Sequence, residues 1–459
     1  MVFNQPRAIA IAIANGKAYR DMRASSLLTD LLSRVAVVGR ALTSTDITVA
    51  TLGDQCAALV AGRGEATELA LARAILDRFR SLDAAGKQAF FAEILQRFGV
   101  DLPALDQALF RYAQDGSPES ARCVHFASEP RSQELIRRLN RAPAGTQDVV
   151  AMRDALLTAM KADTSLRPLD ADFQHLLSSW FNRGFLDLRH IDWSTPAETL
   201  EHIIGYEAVH AINGWDDLRG RVASPDRRLY GFFHPAMRAD PLIFVEVALE
   251  TTVPAAIGPI LATNRKPLDP SKTTTAVFYS ISNCQNGLRG ISFENFLIKQ
   301  VVEELRREFP ALRTFVTLSP VPGLKRWVAG EVAKPKTPVL TEAQICAVIE
   351  SDSEGNRVLM ALPPSADILQ EIVARYLIVA RTETGAVVDP VARFHLGNGA
   401  RLERININAD ASTRGQDQSW GVMVNYLYDL GTIERNHEAF ANNGEVISAA
   451  AVHRLLKRT

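Results

Sequence analysis

Three places in this 459-residue sequence carry residues that could do chemistry: the segment Asn283 to Gly290, Ser319 and His395. The segment, Asn-Cys-Gln-Asn-Gly-Leu-Arg-Gly, joins an expected strand to an expected helix, and Gly287 and Gly290 would let the backbone approach a ligand closely. Free N–H groups at a helix start each favour an anion by roughly 0.3–1 kcal/mol, and by up to about 2 kcal/mol when partly buried. Several together suit a diphosphate, although the same residues also suit an ordinary tight turn. No GK[ST] follows and no GxGxxG is present, so the segment is neither a P-loop nor a dinucleotide fingerprint.

Ser319 lies in TLSPVPG, where Pro320 and Pro322 cannot extend a ladder. The strand should stop there, leaving the serine at its C-terminal edge, where open α/β sheets bind ligands. A turn serine bonded to its own backbone is the plainer reading, and no GxSxG elbow surrounds it. His395 lies in VARFHLGNGA, expected as a short strand with apolar flanks, where a neutral imidazole needs a partner. Ser319 is the candidate partner; without one the histidine is structural. Downstream, Asp410, Ser412, Arg414, Ser419, Asn425, Tyr426 and Tyr428 crowd one stretch with hydrogen-bonding groups.

The elements that must hold these residues fall into two textures. From about Ser25 to Phe185 apolar residues recur at three and four, as in Leu71, Ile75, Phe79 and Phe91, Ile94, Leu95, Phe98, which is one face of a helix. Gly99, Asp101 with Pro103, and the segments QDGSPES and RAPAGTQD punctuate a helical bundle. His125 and His175 stand alone in it and read as ordinary core or surface histidines. After an amphipathic connecting region, LYGFFHP, PLIFVEVALE, TTAVFYSIS and LRTFVTLSP read as strands. The helix SFENFLIKQVVEELRREF between the last two predicts a crossover joining parallel strands. Ala366 to Ala380 reads as a further helix, and VARFHLGNGARLERININ as a hairpin turning at Asn398-Gly399. Trp180, Trp193 and Trp215 read as core or interdomain packing.

With 47% hydrophobic and 22% charged residues the chain suits a soluble globular protein of two or more domains. Its net charge of −1 gives no global field for nucleic acid or an anionic membrane, leaving a small molecule or a protein as partner. Four cysteines (Cys56, Cys123, Cys284, Cys346), none in a CxxC pair, give neither a disulfide framework nor a zinc site. The composition suggests a cytoplasmic protein. No apolar run reaches the roughly 18 residues of a membrane span, the opening residues MVFNQPRAIAIAIANGKAYRDMRA are weak as a signal peptide, and LLKRT is not an SKL-type address.

Four ordered blocks, AVFYSISNCQNGLRGISFENFLIKQVVEELRREFP, TLSPVPG, FHLGNGARLERININADAS and SWGVMVNYLYDL, resemble the malonyl-CoA decarboxylase family, and IDWSTPAETLEHIIGYEAVHAINGWDDLRGRV resembles its domain junction. The resemblance covers about Ile191 to Leu430, and the N-terminal half matches in helical character. It implies a two-domain α+β protein: an N-terminal all-α helical bundle over 1–188 and a C-terminal α/β domain of the GNAT, acetyltransferase-like, fold over 189–459. In that fold coenzyme A pyrophosphate lies on the loop before the central helix, here Gln285, Gly287 and Gly290, and the acyl arm enters where two parallel strands splay.

The resemblance places the catalytic serine on Ser319 and the catalytic histidine on His395. It places malonyl-CoA contacts on Arg289, Gly290, Ile291, Ser292, Phe293, Glu294 and Asn295, and an active-site tyrosine on Tyr428. Some members carry glutamate where this chain has Ser292, with Glu294 two residues on. The implied reaction turns malonyl-CoA into acetyl-CoA and CO2 through an enolate. The thioester carbonyl takes up the electron pair, so no metal and no organic cofactor is expected. A homo-oligomer, often a tetramer, is implied. An acyl-CoA N-acyltransferase, or a malonyl-CoA-binding regulator without catalysis, would share the coenzyme A loop.

Overall fold

Short polar side chains mark the helix starts of the N-terminal half. Asp83 accepts from Gly86 N at 2.7 Å, Asp101 from Ala104 N at 3.1 Å and Ser117 from Ser120 N at 3.1 Å, opening helices Ala84–Arg97, Leu102–Asp115 and Pro118–Ala127. Gly116, left-handed at φ 54°, closes the second of them. The three-and-four spacing buries Leu71, Ile75, Phe79, Phe91, Ile94 and Phe98, while Leu95 is half-buried. The rings of Phe79, Phe90 and Phe91 meet pairwise at 5.2–5.8 Å.

The computed structural model describes residues 51–62, 64–291, 297–334, 339–351 and 357–457. The opening residues read above as a weak signal peptide lie outside them. The chain divides into two units. The helices up to Phe185 group with the loop from Gln285, and the remainder forms the second unit. In the helical unit a buried ion pair, Arg153 Nε to Asp170 at 2.8 Å, leaves Arg153 Nη1 to donate to Gly287 O at 2.7 Å. His125 and His175 are exposed.

The second unit is built on one sheet. Its strands are β1 (Asp187–Ile191), β2 (Arg227–Phe233), β3 (Pro241–Glu250), β4 (Thr275–Asn283), β5 (Thr314–Thr317), β6 (Ser319–Pro320), β9 (Arg401–Asn406) and β10 (Met423–Leu427). A separate two-stranded sheet pairs β7 (Ile349–Ser351) with β8 (Arg357–Leu359). The order is β1-β2-β3-β4-β5-β10, with β9 and β6 also paired to β10. β4 and β5 are parallel, linked by the crossover helix Leu297–Glu308, and the other pairs are antiparallel. That helix buries Leu297, Ile298, Val301, Val302 and Leu305, a single stripe.

The parallel pairing ends at Phe278 opposite Thr317, with Leu318 N still donating to Phe278 O at 3.0 Å. Beyond it β4 continues against β3 alone, and Ser319-Pro320 turns to pair with Val424 and Met423 of β10. Pro320 therefore does not end all pairing: past Leu318 the chain leaves β4 and keeps β10 as its neighbour, so the two parallel strands part.

Three expectations are corrected. His395 is not in a strand but in the helix Pro390–Gly397. Asp389 caps that helix by accepting Ala392 N at 2.8 Å, and Pro390 occupies its first turn. Asn398-Gly399 is that helix's end rather than a hairpin turn: Gly399 has φ 80°, and a Cβ there would lie 2.1 Å from Ile433 O. Trp193 and Trp215 are not core; they are 41% and 42% exposed and meet edge to face at 6.2 Å, with the Arg219 guanidinium over Trp193. Trp193 stands on the turn after β1, and Trp215 is the first residue of the helix Trp215–Val222.

Candidate active site

The parting of β4 and β5 opens a cavity of about 260 Å³. Val209, Phe278, Ile281, Pro320, Pro390, Val391 and Phe394 form its apolar wall, and Ser280, Asn283, Ser319 and His395 bring polar atoms to it. An apolar chamber with a few convergent polar groups is the usual form of a small-molecule site.

Ser319 arrives on β6 and His395 from the middle of its helix, where Ala392, His395 and Leu396 share the buried face. Ser319 Oγ lies 3.0 Å from His395 Nε2, and His395 Nδ1 lies 2.8 Å from Tyr428 Oη, all three residues being buried. His395 Nδ1 is the partner of that phenol among the described residues. With Nδ1 its acceptor among the described residues, the phenol is assigned as the donor, which places the proton of the neutral ring on Nε2, toward Ser319. Ser319 Oγ in turn donates to Thr317 Oγ1 at 2.9 Å. The chain runs Tyr428, His395, Ser319, Thr317, each member donating to the next.

Burial governs the electrostatics. It pushes the His395 imidazole down to about pH 3, so the resting ring is neutral, and it drives the Tyr428 phenol well above its ordinary value. The Tyr426 ring stacks on the imidazole at 4.7 Å and Phe394 meets it edge-on at 5.1 Å. Asp389, the cap of the His395 helix, is raised to about 6 by burial and accepts from Tyr376 Oη at 3.1 Å.

Several supporting residues carry no obvious motif in the sequence. Thr317 sits two positions before Ser319, on the same face by strand alternation, and that spacing was the available signal. Asn425 holds the Thr317 carbonyl at 2.8 Å and is itself held by Arg404 at 3.0 Å. The Glu207 carboxylate accepts Val209 N at 2.7 Å, His210 N at 2.8 Å and the Ser280 hydroxyl at 2.8 Å, fixing one wall of the cavity.

The other expected site residues are placed differently. Tyr428 stands behind the imidazole and does not line the cavity. Gly287 is buried, and a Cβ on it would lie 2.0 Å from Val150 O, so its missing side chain admits the helix Gly145–Ala159. Ile291 is buried and Gln285 half-buried; Arg289 and Gly290 are exposed, Gly290 with φ 81°. Ser292, Phe293, Glu294 and Asn295 lie outside the described residues. The four cysteines are free, and among the described residues no cluster of metal-ligating side chains forms and no helix is long and apolar enough to cross a membrane.

A mixed sheet whose parallel pair opens onto a buried hydroxyl–imidazole–phenol chain, preceded by a helical unit, defines an α+β protein with a polar cluster at the wall of a cavity. The family model "Malonyl-CoA decarboxylase C-terminal domain" matches residues 184–459, and "Malonyl-CoA decarboxylase N-terminal domain" matches residues 98–181. The mitochondrial malonyl-CoA decarboxylase of Anser anser anser is 32% identical, over 82% of this chain and 81% of that protein. The one from Rattus norvegicus is 33% identical, over 76% and 77%. Crystal structures of malonyl-CoA decarboxylase from Rhodopseudomonas palustris and Agrobacterium vitis, each 49% identical, superpose with TM-scores of 0.82 and 0.81. They cover 88% of this chain and 98% and 99% of theirs. The chain belongs to the malonyl-CoA decarboxylase family.

Proposed function

We propose that this protein converts malonyl-CoA to acetyl-CoA and CO2, a carbon–carbon lyase reaction at Ser319 and His395. The observation that carries the reading is the 3.0 Å contact between Ser319 Oγ and His395 Nε2 at the mouth of the β4–β5 opening, in a chain of this family. We also read the sheet unit as acetyltransferase-like, supported by its parallel pair that separates part-way along.

In the reaction the bond between the carboxylate carbon and the α-carbon breaks. Its electron pair moves to the α-carbon and onto the thioester oxygen, CO2 departs, and one proton, replaced from water, ends on the α-carbon. The apolar wall around Val391 and Phe394 strips water from the carboxylate. At rest the Nε2–H is given to Ser319 Oγ and the serine hydroxyl to Thr317 Oγ1; redirected to the growing oxyanion when substrate enters, such a donor is typically worth about 2.7–4 kcal/mol. Ser319 binds the carboxylate or the thioester group and exchanges a proton with His395. A negative charge arriving beside the ring raises its basicity, which lets the imidazole hold and release that proton.

Tyr428 acts through the ring rather than on the substrate. Arg289 and Gly290, the exposed part of the loop, are the coenzyme A contacts we favour there. Malonyl-CoA incubated alone with the protein and a chelator tests the reading. It should yield acetyl-CoA and CO2 in equal amounts, since decarboxylation needs no acceptor amine. Binding without turnover would identify a regulator, and turnover that requires an added amine would identify an acyltransferase.

A further inference from the structure

We propose that Thr317 is a positioning residue that sets the direction of the hydrogen-bond chain and so decides which imidazole nitrogen carries the proton; the inference rests on the Ser319–His395 reading above. Thr317 is fully buried, and its Oγ1 accepts two hydrogen bonds, from Tyr426 N at 3.1 Å and from Ser319 Oγ at 2.9 Å. The first comes from the backbone of β10 and pins the threonine oxygen to the sheet. The second fixes the serine proton toward Thr317 and away from the imidazole. With its proton so directed, Ser319 Oγ offers a lone pair to Nε2, which must therefore bear hydrogen.

Remove the Thr317 acceptor and, among the described residues, the other hydrogen-bond partner left to the serine hydroxyl is Nε2, 3.0 Å away. Accepting it requires the ring proton on Nδ1, where it meets the oxygen of Tyr428, whose own proton then has no other acceptor among the described residues. Thr317 and Tyr428 thus hold one tautomer from opposite ends. The ring nitrogen nearest the cavity keeps its proton only while both hold, and a reversed ring has a lone pair where the enolate needs a donor.

The test compares Thr317→Val, which is nearly isosteric but accepts nothing, with Thr317→Ser, which restores the acceptor. Two readouts are used: steady-state kinetics on malonyl-CoA, and 15N spectra of histidine-labelled protein with the His395 signals assigned by their loss in His395→Gln. For Thr317→Val the expected result is a fall in kcat of about 10- to 100-fold with KM nearly unchanged, below the roughly 10²–10⁴ that an acid–base group itself supplies. The protonated nitrogen should shift from Nε2 toward Nδ1, and Thr317→Ser should match the unmodified protein in both respects. Because the valine also orphans the Tyr426 N–H, Thr317→Cys, a weak acceptor of similar size, carries the test if the valine variant does not fold. Its kcat and tautomer should fall between those of threonine and valine.

A lowered kcat with the tautomer unchanged, or an unrescued Thr317→Ser, would overturn the proposal and leave Thr317 a packing residue. The nitrogen spectra need no substrate. Failure of the unmodified protein to decarboxylate malonyl-CoA would therefore sink the functional reading, while the spectra still decide the role of Thr317.

Discussion

Replacing Tyr428 by phenylalanine removes one oxygen, the donor 2.8 Å from His395 Nδ1, and little volume. Nδ1 is then a buried acceptor without a partner, a state that costs about 1–3 kcal/mol. Neither tautomer is then satisfied at Nδ1, so the bias toward hydrogen on Nε2 that the phenol supplied is lost, and at about 1.4 kcal/mol per tenfold this corresponds to a roughly 5- to 150-fold fall in the preference for Nε2. The expected outcome is a kcat for acetyl-CoA formation lowered about 10- to 100-fold. KM should stay within about threefold, because Tyr428 stands behind the ring and outside the cavity lining. Stability to urea should fall by about 1–3 kcal/mol. A direct substrate contact would give the opposite signature, a raised KM with kcat retained. A variant with unaltered kcat would refute the argument that the phenol sets the proton's place.

Other consequences follow from the same coordinates. Since burial holds the free imidazole near pH 3, kcat/KM should show no His395 limb at the ordinary imidazole pKa; a limb near pH 6.5 that persists in Asp389→Asn, which removes the neighbouring group raised to about 6, would contradict this. The depressed imidazole contributes stability that is fully present above the unfolded-state value of about 6.5 and is lost as pH falls toward 3, by up to about 1.4 kcal/mol per unit, because only the unfolded chain takes up the proton. His395→Gln should flatten that part of the stability–pH curve, and an unchanged slope in urea titrations would count against a neutral ring. Gly287→Ala would press a Cβ against Val150 O and should destabilise the fold by about 1–3 kcal/mol. Gly290→Ala, where φ is 81° but the space is open, should cost about 1–2 kcal/mol from backbone strain alone. Denaturation curves for the two, with equal stability to the parent as the contrary result, separate packing from strain.

What was legible in the sequence had a local cause. PLIFVEVALE is apolar but for Glu246 and Glu250 because β3 is buried between two neighbours, and it appears over the expected residues. The crossover helix was written in the stripe Leu297, Val301, Val302 and Leu305. Ser319 could be placed at a strand edge because Pro320 and Pro322 follow it. The His395 segment misled for an equally physical reason. VARFHL alternates well enough for a strand, yet Asp389-Pro390 is a helix-opening pair, and Gly399 follows where a helix would close. Composition alone made Trp193 and Trp215 look like core, but one sits on a turn and the other at a helix start, and the sequence held no sign of which way they faced. Gly287 suggested ligand approach when its constraint came from Val150, 137 positions earlier, a contact that local reasoning has no means to see. The role of Tyr428 was reached only through the family resemblance, and its bond to His395, like that of Ser319 to Thr317, follows from no motif that local reasoning could pair.

The central claim, that the imidazole of His395 acts on a malonyl thioester beside Ser319, is tested most directly by His395→Ala, measured for malonyl-CoA affinity by calorimetry and for acetyl-CoA formation in single turnover. Loss of the donor should slow turnover by about 10²–10⁴-fold, with affinity changed little. Turnover close to that of the unmodified protein, with malonyl-CoA bound as before, would contradict the account.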